Sequence, residues 1–214
     1  MTDDGDPFLT LPGAAMNLYD RYVMPCLIDG CCGMPAVQKQ RARLLPRARG
    51  KVLEIGIGTG RNLPFYDAGK LESLEGLDPA GQMNAKAMHR ARQAGIDVQI
   101  LTLSAETIPA PDASYDTVVC TFTLCTIPDP VKALHEMRRV LKPQGQLLFC
   151  EHGLAPDAGV SKWQHRLTPW WKPIAGGCHL NRDVPSMLEA GGFRAIEIES
   201  SYLKGPKPLV WVTR

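Results

Sequence analysis

The sequence predicts a doubly wound α/β fold, a mostly parallel seven-stranded sheet with helices on both faces. Three observations carry this expectation. Strand-like and helix-like periods alternate from Lys51 to His152. The five strand segments in that stretch are almost continuously apolar, as strands covered on both faces are. Glycines cluster at the end of the first segment, where such sheets open a ligand crevice.

Residues 1–12 read as a flexible tail and residues 13–49 as a helical cap. Ala15, Leu18, Tyr19, Tyr22, Val23, Cys26 and Leu27 recur at the three-and-four spacing of one helix face, with a kink expected at Pro25. "AVQKQRARLLPRARG" reads as a second, basic helix that ends at Gly50, its charges on a solvated face. The main domain, 50–214, opens with the strand "KVLEIGI"; "LESLEGLD" holds the second strand, ending at Asp78. Asp78-Pro79 is read as a helix start, Asp as N-cap and Pro in the first turn. Met83, Ala87, Ala91 and Ala94 form the inner stripe of that helix and Gly95 stops it. "DVQILTLS", "YDTVVCTFTLC" and "GQLLFCEH" are the next three strands, with Asp129-Pro130 starting the helix between the last two. A Trp-rich insertion follows at about 154–180. There Val160, Trp163, Leu167 and Trp170 keep helical spacing, and Pro169 and Pro173 are expected to limit the helix. "DVPSMLEAGGF" is a short helix, and "FRAIEIES" and "PLVWVTR" close the chain as an antiparallel strand pair.

A chain of 214 residues suits one such domain, and 44% hydrophobic with 21% charged residues is ordinary for a globular protein. The net charge of +2 argues against a dedicated nucleic-acid binder. No apolar run approaches the roughly 18 residues that would span a bilayer, so any membrane contact is expected to be peripheral. The cysteines number seven, and residues 1–10 are acidic without a basic leader. Reduced thiols in a cytoplasmic protein are expected. Cys31-Cys32 is an adjacent pair without metal-site spacing, and no metal is expected.

The segment "KVLEIGIGTGRN" has the form E-x-G-x-G-x-G, with Glu54 followed by Gly56, Gly58 and Gly60. Deleting side chains there lets the main chain approach a ligand closely. Arg61 occupies the place of a third dinucleotide-type glycine, and no Gly-Lys-Ser/Thr follows as in a phosphate-binding loop. Asp78 lies 18 residues beyond Gly60, at the end of the next strand. A carboxylate there can accept both hydroxyls of a ribose, which points to an adenosine-bearing cofactor. A carboxylate just before the first glycine suits a bound ammonium better than a phosphate. That favours S-adenosyl-L-methionine over a dinucleotide. Two readings of other classes compete: a nicotinamide-dependent oxidoreductase, against which Arg61 in the place of the third glycine counts, and a non-catalytic cofactor-binding module.

"VLEIGIGTG", "LDP", "LSAETIPAPDASYDTVVCTFTLCTIPDP" and "EMRRVLKPQGQLLF" resemble the class I S-adenosylmethionine-dependent methyltransferases, whose sheet is Rossmann-like. "CTFTLCTIPDP", "EHGLAP" and "GGCHLNRD" are similar to the mammalian microsomal alkyl-thiol methyltransferases and their bacterial relatives. The resemblance implies that Glu54, Gly56, Gly58 and Gly60 surround the methionine part. It implies that Asp78, with Pro79 beside it, holds the ribose, and that Ala105 and Glu106 lie at the adenine. Many members carry Asp where this chain has Ser104, so the adenine contact falls to Ser104 or Glu106. Thr121 and its neighbours would line the methyl-transfer face, Asn62 would open the first helix and reach the amino-acid end, and Tyr19 would close over it.

Methyl transfer from a sulfonium releases a neutral leaving group, so alignment of the partners matters more than a catalytic acid. Deprotonating a thiol at pH 7 costs roughly 2 kcal/mol, and an alkylamine roughly 4 to 5 kcal/mol. The expected acceptor is a small, largely apolar molecule with a thiol favoured; a phospholipid amine or a quinone-type carbon or oxygen is the alternative. His152, at the end of the fifth strand, and His179 are the candidate bases. Trp163, Trp170 and Trp171 are candidate walls of the acceptor pocket, part of that stripe being core. Cys31, Cys32 and Cys178 are the candidate set for a metalloid acceptor.

Overall fold

The computed structural model describes residues 18–194, 197–203 and 210–214. The elements are α1 (Met24–Cys32), α2 (Pro35–Leu44), β1 (Gly50–Ile55), β2 (Leu71–Leu77), α3 (Asn84–Ala94), β3 (Gln99–Leu101), β4 (Tyr115–Thr121), α4 (Pro130–Val140), β5 (Leu141–Gly153), α5 (Ala158–Ile174), α6 (Val184–Ala190), β6 (Ser200–Tyr202) and β7 (Trp211–Thr213). The strands lie in one sheet in the order β3-β2-β1-β4-β5-β7-β6. β1 to β5 are mutually parallel; β7 runs antiparallel between β5 and β6. Strand order reverses between β1 and β4, which are registered Val52 to Thr117 through Ile55 to Cys120. The crevice at their carboxyl ends is where a ligand fits this topology.

Alternate residues of each central strand feed two cores. Val52, Val119, Leu148 and Cys150 pack with Val37 and Leu44 of α2 and Ala91 of α3. Leu53, Ile55, Val118, Cys120 and Phe149 pack with Leu134 and Met137 of α4 and Leu188 of α6. Both faces of the parallel strands are therefore covered, which explains their unbroken apolar runs.

Several boundaries differ from the sequence expectations. α2 ends at Leu44 in a 3₁₀ turn, Leu45–Arg47, and Gly50 already belongs to β1. Pro25 does not kink a long helix; it sits in the first turn of α1, after a wide π-type turn at Tyr19–Val23. No α-helix joins β1 to β2: the link is two 3₁₀ turns, Leu63–Phe65 and Ala68–Lys70. Asp78 is not the cap of α3, which starts at Asn84 behind a 3₁₀ turn at Gly81–Met83. Asp129 does cap α4, accepting from the Lys132 amide at 2.9 Å. α5 runs through Pro169 and Pro173 instead of stopping there. Each proline removes a helical hydrogen bond, but side chains pin the helix. Gln164 accepts from the Ala155 amide and donates to the Gly153 carbonyl, both at 2.9 Å, and the Thr168 hydroxyl donates to the Gln164 carbonyl at 2.7 Å. The last two strands are shorter than expected, and parts of both segments, 195–196 and 204–209, lie outside the described residues, as does the tail with Ala15.

One carboxylate fastens the N-terminal helices to the sheet. Asp29 of α1 accepts from Thr59 Oγ1 at 2.5 Å, from Arg61 Nε and Nη2 at 2.8 Å, and from Arg90 of α3 at 2.9 and 3.2 Å. Burial alone would raise its pKa, but the hydrogen bonds from Arg90 and Arg61 hold the carboxyl well below the usual range. α1, the glycine turn and α3 thus meet on a single side chain.

Candidate active site

The glycine turn leaves β1 with its amides bound to β2: Gly56 N–H donates to the Leu77 carbonyl at 2.7 Å and Ile57 N–H to the same oxygen at 3.2 Å. Gly56 has φ +70°, and a Cβ there would stand 2.3 Å from Thr123 Oγ1 and Cγ2. Conformation and space both demand glycine. Gly56→Ala is expected to lower the unfolding free energy by about 2 kcal/mol or more, read from denaturant midpoints, since Thr123 must move to admit the methyl group. At Gly60 a Cβ would meet Leu63 Cδ1 at 2.7 Å and the Ala87 Cα at 2.9 Å, so this glycine serves the close packing of α3. Gly58 N–H donates to Asp78 Oδ2 at 2.8 Å, and Asp78 Oδ1 accepts from the Ala80 amide at 2.8 Å. Burial pushes the Asp78 pKa up, against these two amides.

Behind the turn lies a buried polar network. Glu54 accepts from Asn62 Nδ2 at 3.0 Å and from the Tyr66 hydroxyl at 2.7 Å; Asn62 also bonds Thr121 Oγ1 at 3.0 Å. Arg41 of α2 donates Nε to Asn62 Oδ1 and Nη1 to the Cys32 carbonyl, each at 2.8 Å, and its guanidinium lies 5.2 Å from the centre of the Phe122 ring. Glu54 and Asn62, expected at the amino-acid end of the cofactor, are turned to each other behind the glycine turn, 1% and 3% exposed. Asn62 precedes only a 3₁₀ turn, so it cannot open a helix there. Arg41, read as part of a solvated face, is buried. Its spacing from Val37 and Leu44, both core residues, was the available signal: it falls on the apolar stripe of α2.

Burial raises the Glu54 pKa to about 7, outweighing the Tyr66 and Asn62 hydrogen bonds. A carboxyl whose folded pKa exceeds its unfolded value supports the fold below the unfolded pKa and loses that support as pH rises through 7. Glu54→Gln keeps an acceptor for Asn62 and cannot ionise. Relative to wild type, this variant is expected to gain on the order of 3 kcal/mol between pH 4.5 and pH 8 in paired denaturation series.

A cavity of ≈ 250 Å³ opens at the carboxyl ends of β1, β2 and β4 and is roofed by α1. Gly56, Gly58, Asp78, Pro79, Ser104 and Ala105 line it. So do Phe122 and Thr123, neighbours of Thr121, together with Arg41, which the sequence did not single out, and apolar side chains including Met24, Ile28 and Leu103. Phe122 holds φ +54°, a strained conformation for a non-glycine residue, beside the site. Four expected contacts lie elsewhere. Glu106 accepts from Ser104 Oγ and from the Asp129 amide, both at 2.8 Å, and so braces the start of α4. Thr121 points to Asn62; Thr123, two residues on, takes the cavity position. The Tyr19 hydroxyl donates to the Ile174 carbonyl at 2.6 Å, tying the N-terminal helices to the end of α5. Gly60 packs against α3. A larger cleft of ≈ 560 Å³ between Arg43, Gln146 and Phe193 lies off the strand ends and holds none of these residues.

Beyond Thr123 lie the two candidate bases. His152 Nε2 is 3.3 Å from Cys178 Sγ. His179 Nδ1 lies 3.1 Å from the Cys125 carbonyl, which also accepts the His179 amide at 2.9 Å. His179 therefore anchors its own turn. Hydrogen bonding from Cys125, and next from His152, lowers the Cys178 pKa, while burial opposes it. Glu151, fully buried, accepts the Thr123 amide on both oxygens at 2.8 and 3.1 Å and fixes the cavity wall. Trp163 and Trp170 do not wall a pocket: they are 61% and 77% exposed, and only Trp171 packs on Cys125 and Cys178. Cys31 is exposed and Cys32 lines the cavity, so the metalloid set does not assemble; the sulfurs that meet are Cys125 and Cys178.

The family model for a methyltransferase domain matches residues 53–149. The thiol S-methyltransferase TMT1B of Homo sapiens is 36% identical over 78% of this chain and 69% of its own length. The chain belongs to the class I S-adenosylmethionine-dependent methyltransferases. The methyltransferase is also 33% identical to the demethylmenaquinone methyltransferase of Thermus thermophilus, over 68% of this chain and 69% of that protein. It spans about two thirds of the length of these relatives. The crystal structure of YcgJ from Bacillus subtilis shares the fold, with a TM-score of 0.62 at 23% identity over 78% of this chain and 72% of that one. The cofactor of the methyltransferase is S-adenosyl-L-methionine, and the cavity residues fit it. Asp78 presents a buried carboxylate with lone pairs to spare, and Leu103, Ala105 and Ile127 offer apolar surface for a base. The nicotinamide and non-catalytic readings fall with the family assignment.

Proposed function

We propose that this methyltransferase transfers the methyl group of S-adenosylmethionine to a small, largely apolar thiol. The observation that carries the reading is the match to a thiol S-methyltransferase over 78% of the chain. The cavity supports it: beyond Asp78 its lining holds no carboxylate to serve as a strong base, and a thiol needs the least help. In this reading Asp78 accepts the ribose hydroxyls, the Gly56–Gly58 turn receives the methionine part, and Ser104 and Ala105 flank the adenine. Phe122 and Thr123 face the reacting methyl. The acceptor thiol gives its S–H proton to solvent, and the resulting sulfur lone pair attacks the methyl carbon in line. The carbon–sulfonium pair returns to the donor sulfur, which leaves neutral as S-adenosylhomocysteine. Holding the two sulfurs and the carbon collinear and excluding water supply the rate.

Labelled methyl donor offered with a panel of alkyl thiols, alkylamines and quinols tests this. Thiols are expected to be methylated with the highest kcat/KM. An amine or quinol turned over faster than every thiol overturns the reading.

A further inference from the structure

We infer that Cys125, Cys178 and His152 form a binding site for one Zn²⁺ ion close to the cavity, whose lining includes Thr126 and Gly176 from the turns that carry the two cysteines. The two sulfurs and the imidazole nitrogen all lie within 4.8 Å of one another, and Cys178 Sγ is 3.3 Å from His152 Nε2. Tetrahedral zinc, with bonds of about 2.3 Å to sulfur and about 2.0 Å to nitrogen, sets sulfur–sulfur at about 3.8 Å and sulfur–nitrogen at about 3.5 Å. The site needs contraction by about 1.3 Å at most.

Three separate elements deliver these donors and are locked together without any ion. Cys125 lies in the turn after β4, His152 near the end of β5, and Cys178 in the turn after α5. The Cys125 carbonyl holds the His179 amide at 2.9 Å, the Cys178 amide donates to the Ala175 carbonyl at 3.2 Å, and Arg182 donates to the Leu124 carbonyl. Trp171 packs over both sulfurs. The donor set is sulfur and imidazole without carboxylate, which selects a soft ion over magnesium or calcium. Two thiolates neutralise Zn²⁺, so the loaded site adds no net charge to a buried region. Among the described residues no further Cys, His, Asp or Glu joins the group. Three protein ligands leave the fourth position of the ion open, as in catalytic rather than structural zinc sites. Resting on the thiol reading, we assign that position to the acceptor. Its S–H proton passes to solvent on coordination, and the bound sulfur keeps a lone pair for the methyl carbon.

The test uses the reduced full chain. Zn²⁺ competed against a chromophoric chelator is expected to bind at one equivalent, and Co²⁺ in its place to show thiolate-to-metal charge-transfer absorption. Cys178→Ser and His152→Gln are each expected to weaken Zn²⁺ binding about 100-fold or more. The Cys26→Ser/Cys31→Ser double variant, altered at exposed thiols, is expected to bind as wild type does. Unfolding midpoints in chelator identify any variant that fails to fold; Cys125→Ser then serves as the second probe. Failure of the reduced protein to bind one equivalent, or undiminished binding by the folded Cys178→Ser variant, overturns the site. A Co²⁺ spectrum unmoved by a thiol that the enzyme methylates overturns the acceptor role while the thiol reading stands. One-equivalent binding with no thiol methylated leaves the ion site in place and overturns the thiol reading.

Discussion

Asp78→Ala is expected to weaken S-adenosylhomocysteine binding about 100-fold or more, measured by titration calorimetry. Two losses combine. In the proposed binding mode the ribose hydroxyls lose a charged acceptor, and hydrogen bonds to charged groups contribute about 1.5–3 kcal/mol each. The Gly58 and Ala80 amides, each 2.8 Å from the carboxylate, lose the atoms that hold the glycine turn and the β2–α3 turn in place. Asp78→Asn separates the two. Its single carbonyl oxygen serves only one amide and no charge remains, so an intermediate loss of about tenfold is expected. A dissociation constant within threefold of wild type for Asp78→Ala, in a folded protein, would place the ribose elsewhere.

Asp29→Ala is expected to lower the unfolding free energy by about 2–3 kcal/mol and to weaken cofactor binding as well. The side chain is 15% exposed and its partners Arg61 and Arg90 are 27% and 20% exposed, so the pairs are neither fully screened nor fully buried. Removing the carboxylate leaves two guanidinium groups facing each other across the gap it filled. It also frees the Thr59 hydroxyl and detaches α1, which carries Met24 and Ile28 over the cavity. The linkage has a definite sign: the native pKa is depressed, so the contribution is present above the ordinary value of 3.8 and is lost as pH falls below it. Asp29→Asn should therefore match Asp29→Ala near neutral pH more closely than it matches wild type. A denaturant midpoint unchanged in both variants would show that α1 is held by packing alone.

The parallel core of the fold was legible because strands covered on both faces and helices with one inner stripe leave distinct periods. β1, β2, β4, α4 and α6 sit close to their expected places for that reason. What failed was local. Asp78 looked like a cap because Asp-Pro so often starts a helix, but its oxygens are committed to Gly58 and Ala80, and the helix waits until Asn84. Pro169 and Pro173 looked like stops because a proline deletes a helical hydrogen bond, but Gln164 ties α5 to Gly153 and Ala155, partners outside the helix that no local pattern announces. At the site, the backbone signals were the readable ones: Gly56, Gly58, Asp78, Ser104 and Ala105 share one cavity. Side-chain direction was not readable. Glu54 and Thr121 each sit at the expected strand end and point into the protein, because Asn62, Tyr66 and Arg41 complete a network that no spacing rule announces. The meeting of Cys125, His152 and Cys178 spans three elements and needs the tertiary fold to be seen.

The missing helix between β1 and β2 bears on which nucleotides this protein can mistake for its own. In a dinucleotide enzyme, the stacked peptide dipoles of that helix would draw a pyrophosphate toward the glycine turn. Here the turn is followed by two short 3₁₀ turns, Leu63–Phe65 and Ala68–Lys70, with too few aligned peptides to build such a field. An abundant cellular rival such as NAD would give up its hydration there and receive little in exchange, whereas S-adenosylmethionine brings no pyrophosphate to be satisfied. Discrimination between the two would then be a property of the main chain, in place before any side chain touches the ligand.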